Sequence, residues 1–142
     1  MYKKLGTPWD FANEFTSPNR KLSLEFGYAE EVAMGAPIAG ECFLKTGKGN
    51  FTLNGTFGGP AIWNESSDKA AIPYWTPYRS QKLAIIDVNE MKILISEKKF
   101  RVIQVSKFEN GVIYGIDSPI YEPETIEFNV ETEKYLKELK ID

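Results

Sequence analysis

Histidine is missing from the sequence altogether, and cysteine occurs once, as Cys42. Histidine is the usual general base near neutral pH and the commonest metal ligand, so its absence excludes the Ser/His and Cys/His nucleophile systems and the ordinary zinc sites. A lone cysteine excludes an intramolecular disulfide and a cysteine-based metal cluster. The sequence therefore predicts a protein with no cofactor, no metal and no catalytic residues of these common kinds.

Long apolar runs are missing as well. No run in the sequence approaches the roughly 18 residues that a membrane helix requires. Residues 1–9 contain two lysines but lack the apolar segment that a secretory signal needs. These absences predict a cytoplasmic protein that does not enter a membrane.

The composition is that of one ordinary globular domain spanning residues 1–142. Hydrophobic residues make up 42% and charged residues 26%, which is too apolar for a disordered chain and supplies enough core for independent folding. The net charge of −3 opposes nucleic-acid binding, because phosphate contacts need a concentrated basic face. A basic protein partner fits this charge better.

Residues 17–26 and 63–72 share a pattern, a polar turn followed by a short strand, and the two copies lie about 47 residues apart. A period of roughly 40 to 50 residues is that of a four-stranded propeller blade. Each copy resembles the turn-and-strand repeat of TolB-like and WD-type propellers, with Asn19-Arg20 and Ser66-Ser67 where those families have Asp-Gly. A closed propeller needs at least about four blades, and this chain has room for about three. The resemblance implies antiparallel meanders and no particular function.

Apolar residues alternate with polar ones along most of the chain, which is the pattern of half-buried strands. Leu22, Leu24 and Phe26 show it first, and residues 125–130 show it again. Residues 83–88 are instead almost continuously apolar, as in a central strand that is covered on both faces. We expect a mainly β fold of antiparallel meander sheets that are blade-like, form a sandwich or make a partly open barrel.

Three local features complete the predicted fold. Asn110-Gly111 predicts a hairpin with a type I′ turn, since that turn requires a positive φ at both central residues. Residues 10–15 are expected to form a helical turn, and residues 132–140 a short C-terminal helix that lays Tyr135, Leu136 and Leu139 on the sheet. We expect one shared core to hold side chains from both repeats, namely Leu22, Leu24, Phe26, Ala71, Leu83 and Ile85.

The densest aromatic segment, residues 73–81, is the first candidate for a binding site. Tyrosine, tryptophan and arginine dominate interface hot spots because each buries a large area and keeps a polar group. The candidate contacts with a partner are Tyr74, Trp75, Tyr78 and Arg79. A place in the core is the alternative for Trp75, as it is for Trp63.

A second polar and aromatic loop supplies two further candidates, Asp117 and Tyr121. In one interpretation this loop lines a pocket. In the other, Asp117 caps the neighbouring strand, because aspartate readily bonds backbone groups at turns. The sequence leaves both interpretations open.

Carboxylates are the remaining route to an enzyme. Glu25, Glu30, Glu31 and Glu41 are candidates for an acid and base pair. Adjacent residues of a strand point to opposite faces, so Glu30 and Glu31 are not expected to converge, and a solvated surface is the favoured interpretation. Residues 46–50 resemble a phosphate loop only superficially, because Gly49 stands where that loop has serine or threonine, and a hairpin turn is predicted instead.

These observations favour a non-enzymatic binding protein that acts by covering part of its partner. Small, acidic, β-rich proteins of this general character are similar to the bacterial immunity proteins that neutralise antibacterial toxins, although no motif carries that likeness. An acidic surface with exposed aromatic residues would be steered onto a basic toxin active site. Two alternatives stay open, a small-ligand-binding barrel or cup and a carboxylate-dependent enzyme.

Overall fold

The computed structural model describes residues 5–31 and 35–142, which form fourteen strands and no helix. Residues 1–4, on which the expectation about a secretory signal partly rests, lie outside the described residues. Within the two described segments, no helix is long and apolar enough to cross a membrane. The mainly β prediction is confirmed, since the strands pair antiparallel in four sheets. None of these sheets closes into a barrel.

The first half of the chain forms a small ribbon and the first sheet. The ribbon pairs β1 (Gly6–Thr7) with β2 (Asp10–Phe11). The first sheet is a meander in the order β3-β4-β5-β6, with the bounds Glu14–Thr16, Ser23–Glu31, Ile38–Thr46 and Gly49–Thr52. The last pair is the hairpin that the sequence predicts around residues 46–50.

The second half forms a central sheet and a third sheet. The central sheet has the order β14-β10-β9-β8-β7, with β7 Ile62–Trp63, β8 Lys69–Trp75, β9 Gln81–Asp87, β10 Lys92–Phe100 and β14 Tyr135–Lys140. The third sheet is a meander in the order β11-β12-β13, with the bounds Ile103–Glu109, Val112–Asp117 and Glu124–Asn129. The turn between β11 and β12 has positive φ at Asn110 (52°) and Gly111 (76°), as predicted for a type I′ turn.

The central sheet is covered on both faces. One face packs against the first sheet around a cluster of buried side chains that includes Leu24, Phe26, Cys42, Leu44, Ala70, Ile72, Ala84 and Ile86. The other face packs against the third sheet around a second cluster that includes Ala71, Leu83, Ile85, Phe100, Ile103, Ile113 and Phe128. The prediction that residues 83–88 form a doubly covered strand is confirmed by β9. The molecule is thus a stack of three sheets with two separate cores.

The prediction of one shared core is wrong. Leu24 and Phe26 belong to the first cluster, whereas Ala71, Leu83 and Ile85 belong to the second. Successive residues of a strand face opposite sides of the sheet. Leu24 therefore packs against central-sheet residues that are adjacent in sequence to the expected Ala71, Leu83 and Ile85. In β8 and β9 those neighbours are Ala70, Ile72, Ala84 and Ile86.

The predicted C-terminal helix is not seen, because residues 135–140 form β14 and pair with the edge of β10. The pairing sends Tyr135 to the second cluster and Leu139 to the first, while Leu136 stays exposed. Burying two side chains on opposite faces and completing the hydrogen bonds of an edge outweighs the helix propensity of a Lys- and Glu-rich segment. The expected role of this segment, protection of a sheet edge, is performed by a strand.

The predicted helical turn at residues 10–15 is also wrong. Asp10–Phe11 and Glu14–Thr16 are short strands, and the rings of Phe11 and Phe15 pack toward Phe26 with centroids 4.9 and 6.3 Å away. Alternation of exposed and inward-facing residues along a strand delivers both rings to the same core.

The two repeated turns have the same hydrogen bonds. Ser17 N donates to Leu22 O, and Asn64 N donates to Lys69 O at the corresponding positions. Arg20 and Ser67, also in corresponding positions, have φ values of 63° and 59°. The turns touch, because Asn19 N donates to Ser67 Oγ over 3.0 Å. The recurrence in the sequence is therefore a recurrence of local structure at the junction of the first and central sheets.

Candidate functional site

A tight turn between β8 and β9 carries Tyr78, which at 90% accessible surface is the most exposed of the large hydrophobic side chains in the described residues. Thr76 N donates to Ser80 O over 2.9 Å, and the two hydroxyl groups of these residues lie 2.7 Å apart. The Thr76 hydroxyl also accepts from the Tyr78 and Ser80 backbone N–H groups. The turn is thus fixed by its own hydrogen bonds and holds Tyr78 out into solvent.

Beside this turn lies an open groove of about 250 Å³, which we call the Tyr78 groove. Its apolar lining comes from Tyr74, Pro77, Tyr78 and Leu136, and its charged lining from Lys82, Lys99 and Lys137. Leu136 exposes 58% of its surface, which is high for a leucine on a strand. The groove therefore combines apolar area with positive charge, although the whole chain has a net charge of −3.

Two of the predicted site residues line the groove directly. Tyr74 is half-buried, packs edge-on against Phe57 with ring centroids 5.7 Å apart, and has Lys137 Nζ 5.6 Å from its ring centroid. Tyr78 forms the outer wall. Arg79 is exposed on the same turn with φ of 59°, but it does not line the groove.

Trp75 is not available as a surface contact, which corrects its inclusion among the binding residues. Its side chain is 8% exposed, and Nε1 donates to Ile38 O over 3.2 Å. Because Trp75 follows Tyr74 in β8, its side chain points to the opposite face of the strand. Trp63 is likewise buried, and its Nε1 donates to Phe15 O over 2.8 Å. The core alternative holds for both tryptophans.

Asp117 has a structural task. Its Oδ1 accepts the backbone N–H groups of Arg101 and Val102 over 2.9 and 3.0 Å, which fixes the bend between β10 and β11. Tyr121 is exposed on the following loop, where the Ser118 hydroxyl donates to its carbonyl oxygen. Neither residue lines the Tyr78 groove, so the structure does not unite the two predicted loops in one site.

The loop of Asp117 instead borders an acidic cleft next to the Tyr78 groove. This cleft contains Asp117, Glu122 and Glu124, with Arg101 Nη1 as a weak partner of Glu122 at 4.0 Å. Ser80 and Lys99 line both the cleft and the groove. A ligand in the groove therefore contacts lysines, and the carboxylates of the cleft lie beyond the shared residues Ser80 and Lys99.

The candidate catalytic carboxylates are engaged by separate neighbours. Glu25 pairs with Lys45 Nζ at 2.8 Å, which raises the pKa of Lys45. Glu30 accepts the Tyr28 hydroxyl at 2.9 Å, and this bond raises the pKa of Tyr28. Glu31 accepts Gly35 N at 2.9 Å. Glu41 is exposed, like Glu30 and Glu31, so the solvated-surface interpretation fits all of these side chains.

Other routes to chemistry are weak in the parts of the chain that the structure describes. There, no group of three or more His, Cys, Asp or Glu side chains is placed to hold a metal ion. Cys42 is buried in the first cluster, and burial raises the pKa of its thiol to about 12. A thiol that stays protonated under ordinary conditions is a poor nucleophile.

An apolar cavity of about 250 Å³ lies between the edge strands β3 and β7. Phe15, Ala61 and Trp63 form its floor, and Glu14 and Thr16 lie at its side. Its volume equals that of the Tyr78 groove, and both are below the roughly 300 to 1,000 Å³ that is usual for small-molecule sites. Among the described residues, Glu14 is the one charged residue of its lining, so this cavity offers fewer charged groups for recognition than the Tyr78 groove does.

The lysines and Leu136 were missed by sequence reasoning. Lys82 and Lys99 lie on neighbouring strands about 17 positions apart, and Lys137 comes from a segment that the sequence predicts to be a helix. No local pattern joins these positions. In the sequence, only the aromatic segment 73–81 pointed to this site, and it supplies Tyr74, Pro77 and Tyr78 of the groove lining.

The chain matches no family model, no curated protein and no solved structure.

Proposed function

We propose that this chain is a non-enzymatic binding protein that covers part of another protein with the turn and groove around Tyr78. The observation that carries this proposal is the presentation of a 90% exposed tyrosine by a turn fixed with its own hydrogen bonds. An exposed aromatic side chain costs solvation free energy in the free protein, and burial against a partner recovers it.

The rigidity of the turn supports the same function. Ordering a flexible loop on binding costs conformational entropy, and a turn that is already ordered avoids most of that cost. Tyr78 has the properties of an interface anchor, since tyrosine has few rotatable bonds and a polar group at its tip. Leu136 adds apolar area on the far side of the groove.

Neutralisation of an antibacterial toxin by occlusion is the partner class that we propose. A small protein with an anchor side chain can block a toxin by covering its active site, and it needs no chemistry of its own. The charge of the Tyr78 groove alters the expectation about that toxin. Because three lysines line the groove, the surface that contacts it is expected to be acidic instead of basic.

The test compares Tyr78 with a matched tyrosine elsewhere. The protein is mixed with any toxin-like protein that is found encoded beside its gene, and the affinity is measured by titration calorimetry for the wild type, Tyr78→Ala and Tyr28→Ala. Tyr28 is also largely exposed, at 71%, but lies on the first sheet. We expect Tyr78→Ala to weaken binding by about 10- to 30-fold, the effect of a hot-spot residue, and Tyr28→Ala to leave it unchanged.

Two results would contradict the proposal: no binding to the neighbouring toxin, or equal affinities for all three proteins. The small-ligand alternative is tested in parallel by thermal shift, since a ligand that binds only the folded state raises the melting temperature. A shift of several degrees with a metabolite, abolished by filling the apolar cavity with Ala61→Phe, would favour that alternative.

A further inference from the structure

Two of the groove lysines occupy an unfavourable position in the free protein. Lys82 and Lys99 are directly opposite in the β9–β10 pair, so their side chains leave the same face of the central sheet. Like charges placed directly opposite destabilise a sheet. Lys82 Nζ donates to the Glu97 carbonyl oxygen over 2.7 Å, and this neutral acceptor does not cancel the charge.

The third lysine extends the same positive row. Lys82 is opposite Tyr74 in the β8–β9 pair, and Lys137 Nζ lies over the Tyr74 ring. In residues 5–31 and 35–142, none of the ion pairs includes any of these three lysines. A run of lysines without carboxylate partners, set around a tyrosine, breaks the usual alternation of charge on a sheet surface. Such a local conflict is typical of a binding site.

The apolar part of the groove restricts what the occupant is. Tyr78 and Leu136 stand at its sides, so a ligand that offers only charge would leave both side chains in water. A polypeptide segment in which acidic residues flank an aromatic or aliphatic residue meets both requirements. Its carboxylates reach the lysines while its apolar side chain packs between Tyr78 and Leu136.

The acidic cleft argues against a nucleic acid. A polynucleotide carries a phosphate at every step, and along this surface it would run from Lys99 into a cleft where the carboxylates of Asp117, Glu122 and Glu124 outnumber the one further cation, Arg101. A short acidic segment can end before that cleft. We therefore propose that the Tyr78 groove binds an acidic, apolar-containing polypeptide segment of the partner, an inference that rests on the proposed function.

The test uses a fluorescein-labelled synthetic peptide in which glutamates flank two phenylalanines, with fluorescence anisotropy measured at low salt. We expect saturable binding that weakens as salt is raised, because exposed charges are screened over about 10 Å at 0.1 M salt. A peptide with glutamine in place of glutamate controls for charge, and an oligothymidylate controls for a nucleic-acid partner. Both are expected to bind at least tenfold more weakly.

Variants of the full chain then locate the site. Lys82→Gln and Lys99→Gln are each expected to weaken peptide binding about threefold, and the double variant about tenfold, as for partly exposed ion pairs. Lys48→Gln is the matched control, since Lys48 is an exposed lysine at the turn of the β5–β6 hairpin. If the lysines serve only to stabilise the fold, replacing them should lower the melting temperature. The melting temperature is therefore measured in the same variants. Relief of the like-charge pair should raise it by about 1 to 3 °C in Lys99→Gln.

The inference is overturned if the acidic peptide does not saturate, if the glutamine peptide binds equally well, or if the oligothymidylate binds more tightly. It is also overturned if Lys99→Gln melts at a lower temperature than the wild type without losing peptide affinity, because the lysine would then be structural. If Tyr78→Ala weakens the toxin complex but Lys82→Gln and Lys99→Gln do not, the proposed function stands and this inference fails. If the lysine variants lose the peptide and no toxin is bound, the inference stands and the proposed function fails.

Discussion

The buried hydrogen bond of Trp63 gives the sharpest test of how the sheets are held together. Trp63 lies on β7 of the central sheet, and its Nε1 donates to the carbonyl oxygen of Phe15 on β3 of the first sheet over 2.8 Å. Trp63→Phe removes this donor and leaves the Phe15 carbonyl with only its ladder partner, the N–H of Leu24 on β4. The change therefore probes the contact between two sheets with one substitution.

The expected loss has two parts. Loss of one buried hydrogen bond, at an acceptor that keeps its ladder partner, costs about 0.5–1.5 kcal/mol, and the space left by the smaller ring costs about 1 kcal/mol more. The free energy of unfolding should fall by about 1.5–2.5 kcal/mol, which corresponds to a fall in melting temperature on the order of 5 °C. Trp9 offers a matched control, because its Nε1 also donates to a backbone carbonyl, Gly35 O at 3.0 Å, but at an exposed position. Water can replace that donor, so Trp9→Phe should cost less than about 1 kcal/mol.

The measurement is urea unfolding followed by far-UV circular dichroism, which does not depend on tryptophan fluorescence. A lower midpoint with an unchanged slope in Trp63→Phe indicates a loss of stability without a change in the surface exposed on unfolding. Equal losses in Trp63→Phe and Trp9→Phe would refute the reasoning, because burial of the acceptor is then irrelevant. A loss below about 0.5 kcal/mol in Trp63→Phe would refute it as well.

Four further outcomes are expected. Iodoacetamide at pH 8 should label Cys42 only after denaturation, because burial raises the pKa of this thiol to about 12; labelling of the folded protein at the rate of a free thiol would contradict its burial. The stability that the neutral thiol contributes is complete below its unfolded pKa of about 8.5 and is lost as the pH rises toward 12. Above about pH 9, the melting temperature of Cys42→Ala should therefore depend less on pH than that of the wild type. Deletion of residues 131–142 removes β14 and should cause aggregation or a lower melting temperature, measured by light scattering and calorimetry, and a monomeric, equally stable product would contradict this. Gln81→Leu leaves Ile103 N without the Oε1 acceptor that it bonds over 2.6 Å, but it also removes Nε2, which is buried without a partner among the described residues. Urea unfolding should therefore show a net loss on the order of 1 kcal/mol, and a variant more stable than the wild type would contradict a stabilising role for the Oε1 bond.

The sequence predicted the strands best where one physical signal was sufficient. Asn110-Gly111 has the backbone freedom that a type I′ turn requires, and the structure has that turn. The uninterrupted apolar run of β9 has no polar face to offer water, so both of its faces had to be covered. These predictions depend on local chemistry, and local chemistry is visible in a single sequence.

The division into two cores was not predictable in the same way. In a strand with one polar face, the alternation of polar and apolar residues indicates which side chains face inward. Ala70, Ala71 and Ile72 are instead all apolar and all buried. Such a strand gives no sign of which residue meets Leu24 and which meets the third sheet. That choice is made by the pairing register, and a shift of one residue exchanges the two faces.

The candidate site also has one half that local sequence predicts and one half that depends on strand pairing. Its aromatic half comes from one continuous segment and was found from composition. Its lysine half depends on a register shift in β10 between Ile95 and Lys99, which brings Lys99 opposite Lys82. The segment that supplies Leu136 and Lys137 has helix-forming residues, and only the unpaired edge of β10 makes it a strand.

The pairing of β14 with β10 also sets an order of events during synthesis. β10 ends at Phe100 and β14 begins at Tyr135, and the chain between them forms the whole third sheet. As the chain leaves the ribosome, one edge of β10 has no partner until that sheet has been made. The nascent protein therefore passes through a stage in which an unpaired strand edge is open to chaperones and to other nascent chains. Pairing of β14 with β10 ends that stage, and in the same event it brings Leu136 and Lys137 into the lining of the Tyr78 groove.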